Sequence, residues 1–198
     1  PWLTRVGVYP NANSLKMKSP EELAELRGLG LGIAYMGVES GDDATLKAVN
    51  KGADSALMIE MGKKARAAGI KLSITVLLGL AGMERSQIHA RETGRVLSAI
   101  DPEYVGALSL MLIPGTPMYA DRQAGRFQEL HPMALLRELR SLLACTEQSQ
   151  GLFHANHASN YLALRGTLPE DKHRLLAALK AAIARGSDIL RPETWRGL

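Results

Sequence analysis

The chain has 198 residues, 46% of them hydrophobic and 22% charged, with a formal net charge of +4. Such a length and balance suit one globular domain with a sizeable core, and no apolar run approaches the ~20 residues of a membrane-spanning helix. The single Cys145 rules out an internal disulfide or a cysteine-rich metal site, and the basic residues are scattered over helices rather than gathered into a nucleic-acid groove.

The chain opens on Pro1 and Trp2 and enters a strand almost at once, so it reads as a piece of a longer protein. Trp2 is then expected to be core in the longer protein and exposed here, together with neighbouring surface. No signal-peptide pattern is present, and the expected compartment is the cytoplasm. Residues 4–9 (T-R-V-G-V-Y) alternate as a strand does, and residues 10–13 form a turn. Ser19-Pro20-Glu21-Glu22 starts a helix: a capping serine, a proline in the first turn, then acids at the positive dipole end. Leu23, Leu26 and Leu29 mark its inner face, and it stops at residues 28–30.

Residues 33–38 are a short buried strand ending in Glu39. A tight Ser40-Gly41 turn follows, then a helix opening at Asp42 or Asp43 and closing at Lys51-Gly52. Asp54 caps a helix over 55–68 that turns Leu57, Met58, Met61 and Ala65 to one side. Residues 70–78 are too apolar for an exposed strand. A glycine-rich loop, 79–86, leads into a helix capped by Ser86 with Ile88, Val96, Leu97 and Ile100 inward. Asp101-Pro102 breaks that helix, and residues 104–113 form another buried strand before the turn at 114–117. This βα alternation means a parallel sheet, of four strands by this reading. A closed eight-stranded barrel takes about 250 residues, so the chain holds only part of one.

After Pro117 the pattern turns helical: a short helix over 118–124 and a long one over 132–145 with Leu135, Leu136, Leu139, Leu142 and Leu143 on one stripe. Residues 151–161 are irregular or a short strand, and Leu168-Pro169-Glu170-Asp171 starts a last helix carrying Leu175, Leu176, Leu179 and Ile183. The expected division is a partial (β/α) barrel over 1–117 and a helical extension over 118–198 packed on it.

Several residues carry potential chemistry. Glu39 lies at the C-terminal mouth of a parallel strand beside a helix N-terminus, where α/β proteins bind small molecules; the alternative is a capping or surface carboxylate. Lys51 is equally explained as a base in a helix's last turn. Thr75 offers a hydroxyl or plain β-branched packing, and Gly79 and Gly82 allow close backbone approach or simply a turn. Glu84 and Arg85 read as helix N-terminal charges. His154 and His157 are spaced H-x-x-H without a third ligand, which is weak evidence for zinc. For His157, Asn160 and Tyr161, structural hydrogen bonding outweighs a place on the substrate side. Cys145, beside Leu142 and Leu143, reads as a buried inert thiol.

The stretch G-V-E-S-G-D-D-A-T-L-K-A-V-N-K-G (37–52) resembles the radical S-adenosylmethionine (SAM) superfamily. The nearest branch holds methylthiotransferases, the elongator acetyltransferase subunit and coproporphyrinogen-oxidase-like proteins. G-L-A-G-M-E-R at 79–85, Glu92-Thr93 with D-P-E-Y-V at 101–105, and P-G-T-P at 114–117 follow in the family's order. N-H-A-S-N-Y-L at 156–162 and G-T-L-P-E-D-K at 166–172 are similar to the tail of one of its uncharacterised subgroups.

The resemblance implies a TIM-like barrel fragment comprising strands three to six, with Glu39 the end of strand four. Glu39, Ser40 and Lys51 would hold SAM, Lys51 facing its carboxylate; Thr75 stands where some relatives place an aspartate on the ribose; Gly79 and Gly82 would let the loop approach the adenine. Also implied are a [4Fe–4S] cluster, an electron donor and a substrate that the sequence does not identify. The intact enzyme would be an oxidoreductase that cleaves SAM reductively to a 5′-deoxyadenosyl radical for hydrogen abstraction. The family's C-x-x-x-C-x-x-C cluster loop is absent, and one cysteine cannot replace it. This chain alone is thus expected to be inactive. Two rivals stand beside that reading: another (β/α)-barrel enzyme such as an aldolase, and a non-catalytic binding module. No nucleic-acid or membrane partner is indicated.

Overall fold

The computed structural model describes residues 4–197, so Trp2 lies outside the described residues. A six-stranded sheet runs in chain order: β1 (Val6–Val8), β2 (Leu31–Glu39), β3 (Lys71–Leu78), β4 (Tyr104–Ser109), β5 (Gly151–Ala155) and β6 (Leu164–Leu168). The first five are parallel, and β6 returns antiparallel to β5. Sequential order with helical crossovers is the arrangement of a barrel wall, here left open.

Strand burial alternates with the period of two that a sheet imposes. Ala34, Met36 and Val38 of β2, Leu72, Ile74, Val76 and Leu78 of β3, Val105 and Ala107 of β4, and Phe153 and Ala155 of β5 are all buried under the helices. The opposite, concave face carries Tyr35, Gly37 and Glu39, then Ser73 and Thr75, then Tyr104 and Gly106, then Leu152 and His154. Register sets these into layers. Tyr35, Ser73, Tyr104 and Leu152 lie side by side, and one step toward the strand ends come Gly37, Thr75, Gly106 and His154.

The helices follow the sequence signals closely where caps are strong. Around α2 (Pro20–Gly28), Ser19 accepts from the Glu22 amide while the Glu22 side chain accepts from the Ser19 amide, a complete capping box. The α3 helix (Asp43–Ala48) is capped by Asp42, and α4 (Ser55–Ala67) by Asp54. The long helices are α5 (Gly82–Ile100), α7 (Pro132–Ala144) and α8 (Lys172–Arg185), with the shorter α6 (Pro117–Gln123) ahead of α7.

Several expectations change. Residues 10–13 open a helix rather than closing as a turn: α1 (Ala12–Lys16) is capped by Asn11, whose side chain accepts from the Ser14 amide. In α2 only Leu23 is buried, while Leu26 and Leu29 are 37% and 76% exposed and flank the open edge of β1, whose Val6 and Val8 are also exposed. Ser86 does not cap α5; the helix begins four residues earlier, and the Ser86 hydroxyl bonds to Glu138 instead. Ile88 is only half-buried on that helix. The region after residue 118 is not helical alone, because β5 and β6 extend the same sheet, giving six strands rather than four. Both are only five residues long, and β6 is interrupted by Gly166, so their period is short to read.

Candidate functional site

The strand β2 ends in a distortion centred on Glu39. Its φ of +62° lies in the left-handed region that non-glycine residues seldom occupy. The Ser40 amide donates back to the Val38 carbonyl at 2.7 Å, closing a three-residue turn of the rarer, strained form. Register against β3 slips at the same point, between Gly37 and Glu39. The distortion lays the Glu39 carboxylate back over Gly37: a Cβ built at Gly37 would come within 2.2 Å of Glu39 Oε1. Lys51 Nζ donates to that oxygen at 3.2 Å, and the two side chains remain 22% and 26% exposed at the rim of the concave face.

Lys51 does not sit in a helix's last turn. The α3 helix ends at Ala48 with Lys47 as its terminal base, so the dipole explanation applies to Lys47 and not to Lys51. Lys51 instead stands between two left-handed residues, Asn50 (φ +52°) and Gly52 (φ +75°), in the loop that returns it to Glu39. Thr75 lies in the same layer, with Gly37 and Gly106 as its partners on either side. The Glu39 carboxylate fills the space above Gly37, so the floor beside Thr75 is low on the Gly106 side alone.

Helix α5 holds the strained turn from behind. Arg85, His89 and Thr93 recur every four residues and so form one stripe. Arg85 Nε and Nη2 each donate to Asp42 at 2.8 Å, Ser40 Oγ and His89 Nδ1 are 2.8 Å apart, and the Gly41 amide donates to Thr93 Oγ1 at 2.9 Å. Gly41 is required there, since a Cβ would meet the Glu92 carbonyl oxygen at 2.2 Å. A residue in a sparse backbone region costs ~1–3 kcal/mol, and buried hydrogen bonds contribute ~0.5–1.5 kcal/mol each, so this set is enough to hold Glu39 in place. Asp42 also accepts from the Thr45 amide and hydroxyl as the cap of α3. The Arg85 hydrogen bond, first among the causes, brings its carboxyl down to about 2.

Ser40 itself is fully buried, its hydroxyl committed to His89 and the Asp42 amide (3.0 Å) rather than turned to the concave face. Gly79 and Gly82 serve the chain's own packing. Both have positive φ; a Cβ at Gly79 would touch Leu135 at 3.0 Å, and one at Gly82 would touch the Phe127 ring at 3.1 Å. The Gly79 amide donates to Glu138 Oε1 at 2.6 Å and the Met83 amide to the Gln128 carbonyl at 2.9 Å, pinning this loop to the segment leading into α7.

The remaining candidates separate. His154 is exposed on β5, while His157 Nδ1 bonds locally to the Ser159 amide and hydroxyl. Asn160 is buried, accepting from Ser109 Oγ and donating to the Ala107 carbonyl, and Tyr161 bonds to Glu193 and Arg196. Among the described residues no group of three or more His, Cys, Asp or Glu converges on a metal position. Cys145 is exposed, contrary to expectation, because α7 ends at Ala144 and the cap residue turns outward.

Sequence reasoning missed the pair beneath the site, His89 and Glu138, both with fully buried side chains. A signal existed in α7. Glu138 falls within the stripe of Leu135, Leu139 and Leu142, and an acid there must be buried. His89 gave none until the fold brought α5 against the turn.

Residues 3–90 match the family model described as the Radical SAM superfamily. No curated protein sequence matches the chain. Among solved structures it is similar to the archaeal Elp3 of Methanocaldococcus infernus lacking its N-terminus, with 18% identity, a TM-score of 0.58, and coverage of 71% of this chain and 33% of that one. Coproporphyrinogen III oxidase of Escherichia coli, described as a radical SAM enzyme, gives 17% identity and a TM-score of 0.55 over 71% of this chain and 31% of that one. Methylornithine synthase gives 17% identity and a TM-score of 0.51 over 73% and 40%. The chain thus spans about a third of the length of the first two. Identities this low speak to fold, and the fold they share is the partial barrel described above. The family match over residues 3–90 and the shared fold thus agree in pointing to the Radical SAM superfamily.

Proposed function

We propose that this chain supplies SAM-holding strands of a radical SAM enzyme. The observation that carries the reading is the strained Glu39, bent over Gly37 and paired with Lys51 at the C-terminal mouth of the open sheet. A carboxylate and an ammonium side by side match the amino and carboxylate groups of an amino-acid moiety, and each partner exchanges an internal ion pair for one to the ligand. Thr75, with the Glu39-covered Gly37 on one side and Gly106 on the other, would offer its hydroxyl to a ribose. Members of the superfamily are enzymes, and bound SAM supplies the cleavable sulfonium; these residues bind and orient it.

The cluster does not fit this chain. Its only cysteine, Cys145, caps α7 at an exposed position, and cluster ligation needs several thiolates at one place. The electron-transfer half of the chemistry is therefore not assigned to any residue here, and neither are the substrate or the electron donor.

The test is SAM binding to the chain by equilibrium dialysis. We expect Glu39→Gln and Lys51→Met each to weaken binding by about tenfold, the loss of one charge-assisted hydrogen bond, and Thr75→Val to weaken it less. Binding that is indifferent to Glu39 and Lys51 would remove the assignment.

A further inference from the structure

Behind the proposed site lies a chain of buried polar groups. Ser40 follows Glu39 directly, and its Oγ lies 2.8 Å from His89 Nδ1. The other ring nitrogen, His89 Nε2, faces Glu138 Oε1 at 3.6 Å and has no hydrogen-bond partner. Glu138 Oε1 accepts from the Gly79 amide at 2.6 Å, and Oε2 accepts from Ser86 Oγ at 2.5 Å. The line therefore runs from the turn after β2, through α5 and α7, to the loop after β3. Those are the two segments that carry Glu39 and follow Thr75.

Resting on the SAM-site reading above, we propose that His89 and Glu138 are positioning residues for that site, joining the Glu39 turn to the Gly79 loop through a relay whose proton sits at either end. Two arrangements satisfy the donors. With Glu138 ionised, Ser40 donates to Nδ1, and Nε2–H points at the carboxylate. With Glu138 protonated, its O–H points at Nε2, and Nδ1–H donates to Ser40, which already accepts from the Asp42 amide. The Ser40 proton is then released to another acceptor, and the turn bearing Glu39 loses one of its fixed bonds. A buried polar atom without a partner is costly. The orphaned Nε2 is thus the point at which either arrangement gains most by closing 3.6 Å to a full bond.

The charges around the relay are few. Asp42, clamped by Arg85, is the charged group that acts on His89; from α5, Ser86 and His89 face Glu138, and from the loop the Gly79 amide does. Arg137 and Arg140 of α7 and Lys180 of α8 line a separate groove with Gln87 and Ser141. Burial raises Glu138 to about 7 and lowers His89 to about 4, so the carboxyl changes state near neutrality while the imidazole stays neutral.

The experiment follows the backbone amides of Gly79 and Asp42 by two-dimensional NMR from pH 5 to 9, alongside SAM affinity at pH 6 and pH 8. In the unaltered chain both amides should titrate with one midpoint near neutrality. Glu138→Gln, which keeps shape and an acceptor, should flatten both curves. His89→Asn should leave the Gly79 curve and abolish that of Asp42. SAM affinity should change about fivefold or more between the two pH values, the low end of typical coupling between sites, and become flat in Glu138→Gln. An Asp42 amide that ignores pH, or that titrates unchanged in His89→Asn, overturns the relay. A SAM profile in Glu138→Gln that superimposes on the unaltered one overturns the positioning role. A chain that binds no SAM at either pH, with the amide coupling intact, overturns the SAM-site reading and the positioning role with it, and leaves only the structural link.

Discussion

Burial acts on His89 and Glu138 in opposite directions, and the two shifts cancel in the stability of the whole chain over a defined pH range. Glu138 is raised from 4.5 to about 7, so between those values the folded state holds a proton that the unfolded state has released, and stability falls as pH rises. His89 is lowered from 6.5 to about 4, so over that interval the unfolded state holds the extra proton, and stability rises with pH. From about 4.5 to 6.5 the folded pair and the unfolded pair each carry one proton, and the net slope is near zero. The two side chains lie 3.6 Å apart, so each variant also removes whatever coupling the pair has. Relative to the unaltered chain, His89→Gln loses the His89 contribution, so its stability should fall with pH from about 4 to about 6.5. Glu138→Gln loses the Glu138 contribution, and its relative stability should rise from about 4.5 to about 7. Each slope approaches ~1.4 kcal/mol per pH unit at its steepest. Urea midpoints of each variant, taken relative to the unaltered chain at the same pH, isolate these slopes from all other groups. Parallel curves would show that neither residue titrates from a buried state.

At the scale of elements, α5 is the clamp and the Ser40–Asp42 turn is what it holds. Gly41→Ala would push a methyl group against the Glu92 carbonyl and the Thr93 amide, at 2.2 and 2.5 Å, both backbone atoms that cannot move aside. Its expected cost is ~1–3 kcal/mol. Thr93→Val, which keeps the shape and removes only the acceptor for Gly41, should cost ~1–3 kcal/mol through the amide left buried without a partner. Thermal unfolding reads both; a neutral Gly41→Ala would mean that the turn does not lie on α5. This clamp also marks where the sequence was legible. The buried β2 and β3 runs, the caps at Ser19, Asp42 and Asp54, and the leucine stripe of α7 are local patterns, and they emerged with bounds shifted by only one or two residues at most ends. The position of Glu39 at a strand end was legible because a strand, a carboxylate and a capped helix follow one another directly. His89, Glu138 and the true role of Ser86 were not, since their partners lie 49 to 59 residues away. The short α1 and β6 were hidden, and β5 was read only as irregular or a short strand, for a different reason: five residues barely display a period.

At the scale of the molecule, the sheet's order makes residues on both sides of Pro117 share one core. Phe153 of β5 is fully buried, and it lies beside Val105 of β4 in the register of the sheet. Leu142 and Leu143 of α7, fully buried in the same cluster, come from the later region, while Val96 and Leu97 of α5 come from the earlier one. The Gly94 backbone approaches α7 so closely that a Cβ there would lie 2.9 Å from the Leu142 carbonyl oxygen. A helical extension resting on a finished barrel segment would unfold separately from it; a shared core cannot. Phe153→Ala removes a large side chain from the middle of that core and should cost ~3–5 kcal/mol. The loss should appear in one cooperative transition, with far-UV circular dichroism and the fluorescence of Trp195, read in a Trp2→Phe background, moving together. Two transitions, with only the later one shifted by Phe153→Ala, would instead establish the region after Pro117 as an independent unit. In that case the open barrel wall carrying Glu39, Lys51 and Thr75 would stand on strands β1 to β4 alone.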